Sequence, residues 1–280
     1  RDLHKEYRRQ RQMCIRERVA IATHSLTDLV RLRTVTKRNA DHDRQIVIGM
    51  GAAGVTSRVL PDLFNSAWTY AGDGVAPGQL SLGEMCDEYR IHSLGRDSEL
   101  FGVLGKPLRH SLSPAMHNAG FKAIRRDAVY LPFEATDIED FESFANEFNV
   151  VGASVTAPYK RAALGKSAKV DELGRRVGAV NTLMMKNGGW HARNTDVPGF
   201  LEPLDGRIEL ENCRATVLGA GGAARAVVTA LVDEGAKVTV CARAAEAARS
   251  VAELCGGASS EMPPVAVSYT HLTLPTILLV

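Results

Sequence analysis

The chain has 280 residues, 45% of them hydrophobic and 24% charged, which is the composition of a globular protein of about two domains. The formal net charge is +2, but residues 1–18 alone carry +4, so the other residues carry −2 and nucleic-acid binding is not expected. No apolar run reaches the roughly 20 residues that span a membrane. The five cysteines form no CxxC pair, which favours a reducing, cytoplasmic compartment and no metal site.

The two ends of the sequence differ from the part between them. The stretches "RQMCIRER" and "VSYTHLTLPTILLV" resemble translated sequencing-adapter read-through, so we expect residues 1–18 and 266–280 to be foreign to the native protein. The alternative is a disordered basic arm and a genuine β-rich tail. If the ends are foreign, the chain is an internal fragment of a longer protein.

The first native-looking block covers residues 19–95. Its β-type runs at 19–23, 45–51 and 67–72 alternate with helical patterns near 26–38, 58–65 and 81–91. This alternation is typical of a parallel α/β unit, although three strands cannot close a barrel. The segment "GMGAAGVTSRVLPDLFNSAWTYAGDGVAPGQLSLGEM" resembles the C-terminal end of type I 3-dehydroquinate dehydratase, a (β/α)8 barrel that uses a lysine Schiff base.

That resemblance implies that Arg58 binds a substrate carboxylate and that Gln79 contacts the substrate. The alternative for Arg58 is a solvated arginine at a helix start. Two residues depart from the family: Arg18 stands where the Schiff-base lysine belongs, and Val75 replaces a serine. Because a guanidinium cannot form an imine and about five of the eight strands are absent, we expect no dehydratase activity.

The second block follows a polar linker at 90–100 and begins with a strand at 100–105. Ser111 and Ser113 precede Pro114, a residue suited to a helix N-terminus, so their hydroxyls and nearby N–H groups are candidates to hold a carboxylate. The alternative is that both serines are simple helix caps.

Three further short strands end in polar residues, in "VVGASVTAPYK", "VGAVNTLMM" and "GWHARNTDVPGF". Polar strand ends are how an open α/β sheet builds a site. Lys160 and Asp196 form a candidate charged pair in which the carboxylate orients a lysine that relays a proton. The alternatives are a solvated surface lysine at 160 and a helix-capping aspartate at 196.

A strand, a glycine turn, a helix and a second strand follow in "RATVLGAGGAARAVVTALVDEGAKVTVCAR". Gly219, Gly221 and Ala224 match the G-x-G-x-x-A pattern of dinucleotide-binding folds, and the helix N-terminus would receive a pyrophosphate. Arg243 stands where an NAD site carries an acid, which favours NADP(H). The alternative is that Arg243 is merely exposed. The predicted cofactor contacts are Gly219, Ala220, Gly221, Gly222, Ala223, Ala224 and Arg243.

With "GKPLRHSLSP", "SVTAPYK", "GAVNT", "NTD" and "GAGGAAR" in this order, the region from 98 to about 265 resembles shikimate dehydrogenase. A dehydratase end before a dehydrogenase is the order of the bifunctional dehydroquinate dehydratase/shikimate dehydrogenases. The resemblance implies an α/β protein with a substrate domain at 98–205 and a Rossmann NADP-binding domain at 206–265, preceded by the last strands of a (β/α)8 barrel at 19–95.

The resemblance further implies NADP-dependent interconversion of shikimate and 3-dehydroshikimate without a metal. Lys160 and Asp196 would be the catalytic pair, and the substrate would be bound by Ser111, Ser113, Thr156, Asn181 and Asp196. Ser154 replaces the family's usual Asn, a change with a modest expected effect. Ala242 and Ala244 replace polar residues around Arg243, and this loss is expected to weaken the preference for NADP.

Beyond about residue 265 the sequence departs from the family, so the nucleotide domain is expected to be incomplete and the chain's own activity doubtful. Two alternatives stay open: a quinate/shikimate dehydrogenase with relaxed cofactor use, and a non-catalytic homologue that senses the metabolite. The sequence predicts no oligomeric state.

Overall fold

The computed structural model describes residues 17–37, 45–74 and 76–260. The predictions for most of the leader, for Val75 and for the tail therefore fall on residues outside these ranges. Contacts along the chain divide it into two compact units, residues 1–151 and residues 152–280.

The first unit begins with a β-α-β element. Its parts are β1 (Glu17–Ala22), α1 (Leu26–Lys37) and β2 (Gln45–Met50). The two strands pair in parallel with Val19 opposite Val47, which confirms the predicted parallel unit. The strand β2 is almost fully buried, and α2 (Val55–Val59) follows it.

One prediction in this region is wrong, and two helical stretches are confirmed only in part. The run at 67–72 is not a strand. Ala67 N donates to Gln45 O of β2, and Gly72 N donates to Leu80 O, but these bonds do not form a ladder. The helix predicted at 58–65 stops at Val59, since Pro61 has no N–H to continue it and a 3-10 turn at Pro61–Phe64 replaces it. At 81–91 the main helical element is a single π-helical turn, Glu84–Glu88.

The rest of the first unit is a second α/β element with parallel pairing between its two strands. It consists of β3 (Glu99–Leu104), α3 (Ser113–Ala123), β4 (Ala128–Phe133) and α4 (Ile138–Phe148). Phenylalanines of α4 pack against the earlier part of the unit. The ring of Phe148 lies 5.4 Å from that of Phe64, in the 3-10 turn, and 4.6 Å from that of Phe144, on α4 itself. The two halves of this unit therefore share one core.

The second unit opens with a mixed sheet whose strands lie in the order β5-β7-β8-β6. Strand β5 begins two residues before the division between the units. The antiparallel hairpin β7-β8 turns at Asn187 and Gly188, whose φ values of 52° and 77° suit a two-residue turn. The elements are β5 (Val150–Val155), α5 (Lys160–Lys166), β6 (Lys169–Val170), α6 (Glu172–Val177), β7 (Thr182–Lys186), β8 (Gly189–Arg193) and α7 (Asp196–Leu201).

The unit continues as a parallel sheet in the order β11-β10-β9, with one helix between successive strands. This confirms the predicted dinucleotide-binding β-α-β element. Val177, Val197 and Ala226 belong to one core cluster, so this part packs against α6 and α7. The elements are β9 (Arg214–Leu218), α8 (Gly222–Asp233), β10 (Lys237–Cys241), α9 (Ala245–Cys255) and β11 (Ala258–Ser260).

Candidate active site

The lysine at the end of β5 is the first residue of a helix. After Val155 the chain makes a tight turn in which Tyr159 N donates to Thr156 O at 3.0 Å, and α5 then begins at Lys160. The turn carries the side chain of Lys160 into the unit rather than into solvent. The alternative of a solvated surface lysine is wrong, because only 6% of this side chain is exposed.

Lys160 forms an ion pair with the first residue of α7. Its Nζ donates to Asp196 Oδ2 at 2.7 Å, and the Asp196 side chain is 11% exposed. A lysine and a carboxylate so far removed from water are tolerated only when each has a partner. The predicted pair is therefore brought together across 36 residues of sequence.

Asn181 holds the other oxygen of the same carboxylate. Its Nδ2 donates to Asp196 Oδ1 at 2.8 Å, and its Oδ1 accepts from Thr195 N at 2.8 Å. Its backbone O accepts from Val155 N at 2.7 Å, which places Asn181 beside the strand end that carries Thr156. Four of the predicted residues thus converge at neighbouring strand ends: Thr156, Lys160, Asn181 and Asp196.

Asn194 is a site residue that sequence reasoning missed. It is 3% exposed, its Oδ1 accepts from Asp196 N at 3.0 Å and from Val197 N at 3.3 Å, and its Nδ2 donates to Ala179 O at 2.9 Å. Asn194 therefore caps α7, and the interpretation of Asp196 as a helix cap is wrong. An Asn just before a helix is a capping signal that could have revealed this role.

Ser111 and Ser113 lie in the first unit, at the start of α3. Ser113 is the first residue of that helix and Pro114 the second, which confirms the expected position of the proline. Ser113 N donates to Ser111 Oγ at 3.3 Å, and both serines are half-buried. The two hydroxyls are therefore close in sequence and space at a helix N-terminus.

The glycine turn between β9 and α8 has the shape that a pyrophosphate requires. Gly219 has a φ of 127°, which favours glycine, and a Cβ atom added at Gly221 would contact nothing within 4 Å. Gly221 precedes α8 and offers no side-chain acceptor to the first N–H groups of the helix. These residues fit a dinucleotide, whose phosphates such N–H groups would bind.

Arg243 follows β10 and is exposed, between Ala242 and Ala244. Its position two residues beyond the end of β10 is the one predicted for contact with a ribose phosphate.

Within the described ranges, no group of three His, Cys, Asp or Glu side chains is arranged to hold a metal ion. Nor does any described helix have the length and apolar character that a membrane crossing demands.

Arg58 and the loop that carries Gln79 meet in the first unit. Arg58 is 2% exposed and its Nη2 donates to Pro77 O at 3.5 Å, so the alternative of a solvated arginine is wrong. Burial lowers the pKa of Arg58. Gln79 Oε1 accepts from Ala76 N at 3.0 Å, which closes the loop. Arg18 lies on β1 with its guanidinium over the ring of Tyr70.

Three family models match successive parts of the chain. Residues 3–95 match the type I 3-dehydroquinase model, residues 103–183 the shikimate dehydrogenase substrate binding domain, and residues 204–278 the shikimate / quinate 5-dehydrogenase model. The dehydroquinase match precedes both dehydrogenase matches. This order confirms the resemblance to a bifunctional enzyme with only part of its dehydratase module.

Curated proteins of similar sequence are also shikimate dehydrogenases, alone or joined to a dehydroquinate dehydratase. The shikimate dehydrogenase (NADP(+)) of Syntrophobacter fumaroxidans is 43% identical over 56% of this chain and 54% of its own length. The bifunctional, chloroplastic 3-dehydroquinate dehydratase/shikimate dehydrogenase of Arabidopsis thaliana is 29% identical over 86% of this chain and 43% of its own length. The chain thus spans about half the length of these relatives. The shikimate dehydrogenase (NADP(+)) of Carboxydothermus hydrogenoformans is 35% identical over 65% of this chain and 68% of its own length.

Solved structures show the same fold. The shikimate dehydrogenase of Aquifex aeolicus superposes with a TM-score of 0.55 at 39% identity, covering 59% of this chain and 64% of that chain. The Thermus thermophilus shikimate 5-dehydrogenase in complex with NADP(H) and shikimate gives 0.52 at 38% identity, covering 58% and 62%. With three matching family models and a relative covered over two thirds of its length, the chain belongs to the shikimate dehydrogenase family.

Proposed function

We propose that this chain carries the NADP-dependent shikimate dehydrogenase module of a bifunctional dehydroquinate dehydratase/shikimate dehydrogenase. The observation that carries the proposal is the buried pair of Lys160 and Asp196, whose carboxylate is held on its other oxygen by Asn181. A buried lysine with an oriented carboxylate can exchange a proton with a hydroxyl or carbonyl oxygen. The Thermus relative with shikimate and NADP(H) bound supports this substrate and cofactor.

In the proposed reaction Lys160 handles the proton of the reacting hydroxyl. When shikimate is oxidised, the neutral amine of Lys160 takes up that proton and becomes an ammonium; in the reverse direction, the ammonium donates a proton to the oxygen of 3-dehydroshikimate. Asp196 fixes the position of Nζ and balances its charge. Thr156 and Asn181 supply further hydrogen bonds to the substrate hydroxyls, while Ser111 and Ser113 bind its carboxylate.

The cofactor residues follow from the glycine turn. Gly219 to Ala224 would cradle the pyrophosphate, and Arg243 would contact the 2′-phosphate of NADP(H). When bound, the cofactor supplies the hydride acceptor or donor. In this proposal residues 98–205 form the substrate domain, residues 206–265 the nucleotide domain, and residues 19–95 a remnant of the dehydratase barrel.

We propose no dehydratase activity for the remnant. Arg58 and Gln79 are present, but Arg18 occupies the position of the Schiff-base lysine. The protein is proposed to work in the cytoplasm on small molecules, without nucleic-acid or membrane partners. The scattered cysteines, which form no CxxC pair, support a reducing compartment.

A direct assay tests the function. The purified chain is supplied with shikimate and NADP+, and NADPH formation is followed by absorbance while calorimetry measures the binding of each ligand. We expect Lys160→Ala to reduce turnover at least 100-fold. The matched control is Lys186→Ala, which removes an exposed lysine of the same unit and leaves turnover unchanged.

Each alternative has its own result. If quinate reacted as fast as shikimate, and NAD+ as fast as NADP+, the result would favour a quinate/shikimate dehydrogenase with relaxed cofactor use over the proposal. Binding of both shikimate and NADP+ without any turnover in the unmodified chain would favour the sensing homologue, whereas shikimate binding without NADP+ binding would reflect an incomplete nucleotide domain. Turnover that survives Lys160→Ala contradicts the assigned mechanism.

A further inference from the structure

We infer that Gly222 is a positioning residue for Lys160: its lack of a side chain makes room for the lysine stem. The inference rests on the proposed function, in which Lys160 is the proton carrier. Gly222 belongs to the glycine turn between β9 and α8, and the inferred role is separate from any contact with the cofactor.

The glycines of this turn are required for different physical reasons. Gly219 has the positive φ that a side chain would strain. Gly221 has a negative φ and open space around a hypothetical Cβ, as expected for a position that a ligand approaches. Gly222 is the first residue of α8 and has no positive φ, so backbone conformation does not demand glycine there.

The atoms nearest to the position that a side chain at Gly222 would occupy all belong to Lys160. A Cβ atom added at Gly222 would lie 2.8 Å from Lys160 Cβ, 3.0 Å from Cδ and 3.4 Å from Cγ. Carbon atoms pack at about 3.5–4.0 Å, so the distances to Lys160 Cβ and Cδ are shorter than van der Waals contact allows. Because Lys160 Cβ is attached directly to the backbone of α5, the side chain cannot swing away to relieve the overlap. Any residue larger than glycine must displace α5 or α8.

This contact sets where the ammonium group lies. The lysine stem runs between the start of α8 and the carboxylate that Nζ reaches at 2.7 Å. The backbone O of Lys160 is also fixed, since it accepts from Val180 N at 2.9 Å. Displacing the stem at Gly222 would therefore change the geometry between Lys160 and Asp196. The helix that would bind the pyrophosphate and the lysine that moves the proton are thus in direct contact.

The test compares Gly222→Ala with Gly165→Ala. Gly165 lies on α5, the helix that begins with Lys160, and a Cβ added there meets nothing within 4 Å. Lysine labelled with ¹³C at Cε is observed by NMR in the full chain, with the Lys160 signal assigned by its loss in Lys160→Arg. We expect Gly222→Ala to move the Lys160 signal and to weaken shikimate binding about tenfold. Gly165→Ala should change none of these.

A double-mutant cycle on thermal unfolding needs no ligand. Lys160→Gly removes the Cβ atom that Gly222→Ala would meet, so the double variant should unfold at a higher temperature than the two single losses predict together. Additive losses, or a Lys160 signal that stays in place while NADP+ binding alone weakens, overturn the inference. Failure of the unmodified chain to bind shikimate refutes the proposed function instead, and leaves the NMR and unfolding tests intact.

Discussion

Asp140 and Thr27 are joined by two hydrogen bonds across 113 residues of sequence: Asp140 Oδ1 accepts from the Thr27 backbone N–H at 2.7 Å and from the Thr27 hydroxyl at 2.6 Å. Asp140 Oδ2 accepts from Leu26 N and Thr136 N, each at 3.0 Å. One carboxylate therefore serves the N-terminus of α1 and the start of α4. Since α1 lies in the dehydroquinase-like segment and α4 in the dehydrogenase-like segment, Asp140 ties the two modules together within the first unit.

Replacing Asp140 should destabilise the first unit. Asp140→Ala leaves three backbone N–H groups without their acceptor, and we expect the free energy of unfolding to fall by about 3 kcal/mol. Urea denaturation followed by circular dichroism measures the change. Asp97→Ala, which removes an exposed carboxylate of the same unit, is the control. Equal stability of the two variants would show that the shared carboxylate contributes little.

The same carboxylate predicts a pH dependence. Burial is the largest single influence and raises the pKa of Asp140, but hydrogen bonds from the Thr27 hydroxyl and from the N–H groups of Thr136, Leu26 and Thr27 together outweigh it, so the pKa lies below its usual value. A lowered folded-state pKa stabilises the protein above the unfolded-state pKa of about 4, and this contribution is lost as the pH falls through the folded-state value.

We therefore expect Asp140→Asn to show a smaller loss of stability than the unmodified chain between about pH 5 and pH 2. Urea midpoints measured across that range give the comparison. Parallel curves for the two proteins would mean that Asp140 titrates alike in the folded and unfolded states.

Asn194 should act on the site through Asp196. Asn194→Ala removes the cap of α7 and the bond to Ala179 O, so we expect shikimate binding to weaken at least tenfold and stability to fall by about 2 kcal/mol. Asn194→Asp keeps the acceptor oxygen for α7 but loses the donor to Ala179 O, so it should recover only part of the shikimate affinity. Calorimetry with shikimate and with NADP+ separates the effects, because only the shikimate affinity should follow the substitution. Equal loss for both ligands would indicate general unfolding.

Arg243 should determine the preference for NADP. Arg243→Ala is expected to weaken NADP+ binding about 10- to 100-fold, since a charge-assisted hydrogen bond contributes about 1.5–3 kcal/mol, and to leave NAD+ binding unchanged. The control is Arg249→Ala, which removes an exposed arginine of α9. Titration with each nucleotide, followed by fluorescence, provides the affinities. Unchanged NADP+ binding would show that Arg243 is exposed and does not contact the cofactor.

The elements that sequence predicted well are those with strong local patterns. The helix near 26–38 and the β-α-β element around Gly219 were expected and are present. The run at 67–72 was predicted as a strand from its composition alone, and it fails because a strand needs neighbours along its edges. The helix at 58–65 was predicted through Pro61, which ends it.

The sequence by itself determined the parallel β-α-β units, the glycine turn and the residue types gathered at the strand ends, because each depends on spacing within about 30 residues. Only the tertiary structure decided how those residues act on one another. The second bond of Asp196 to Asn181, its support by Asn194 and the packing of Gly222 on Lys160 all join residues from separate elements. Such contacts depend on how the helices and the loops that follow the strands pack against one another, which spacing along the chain does not determine.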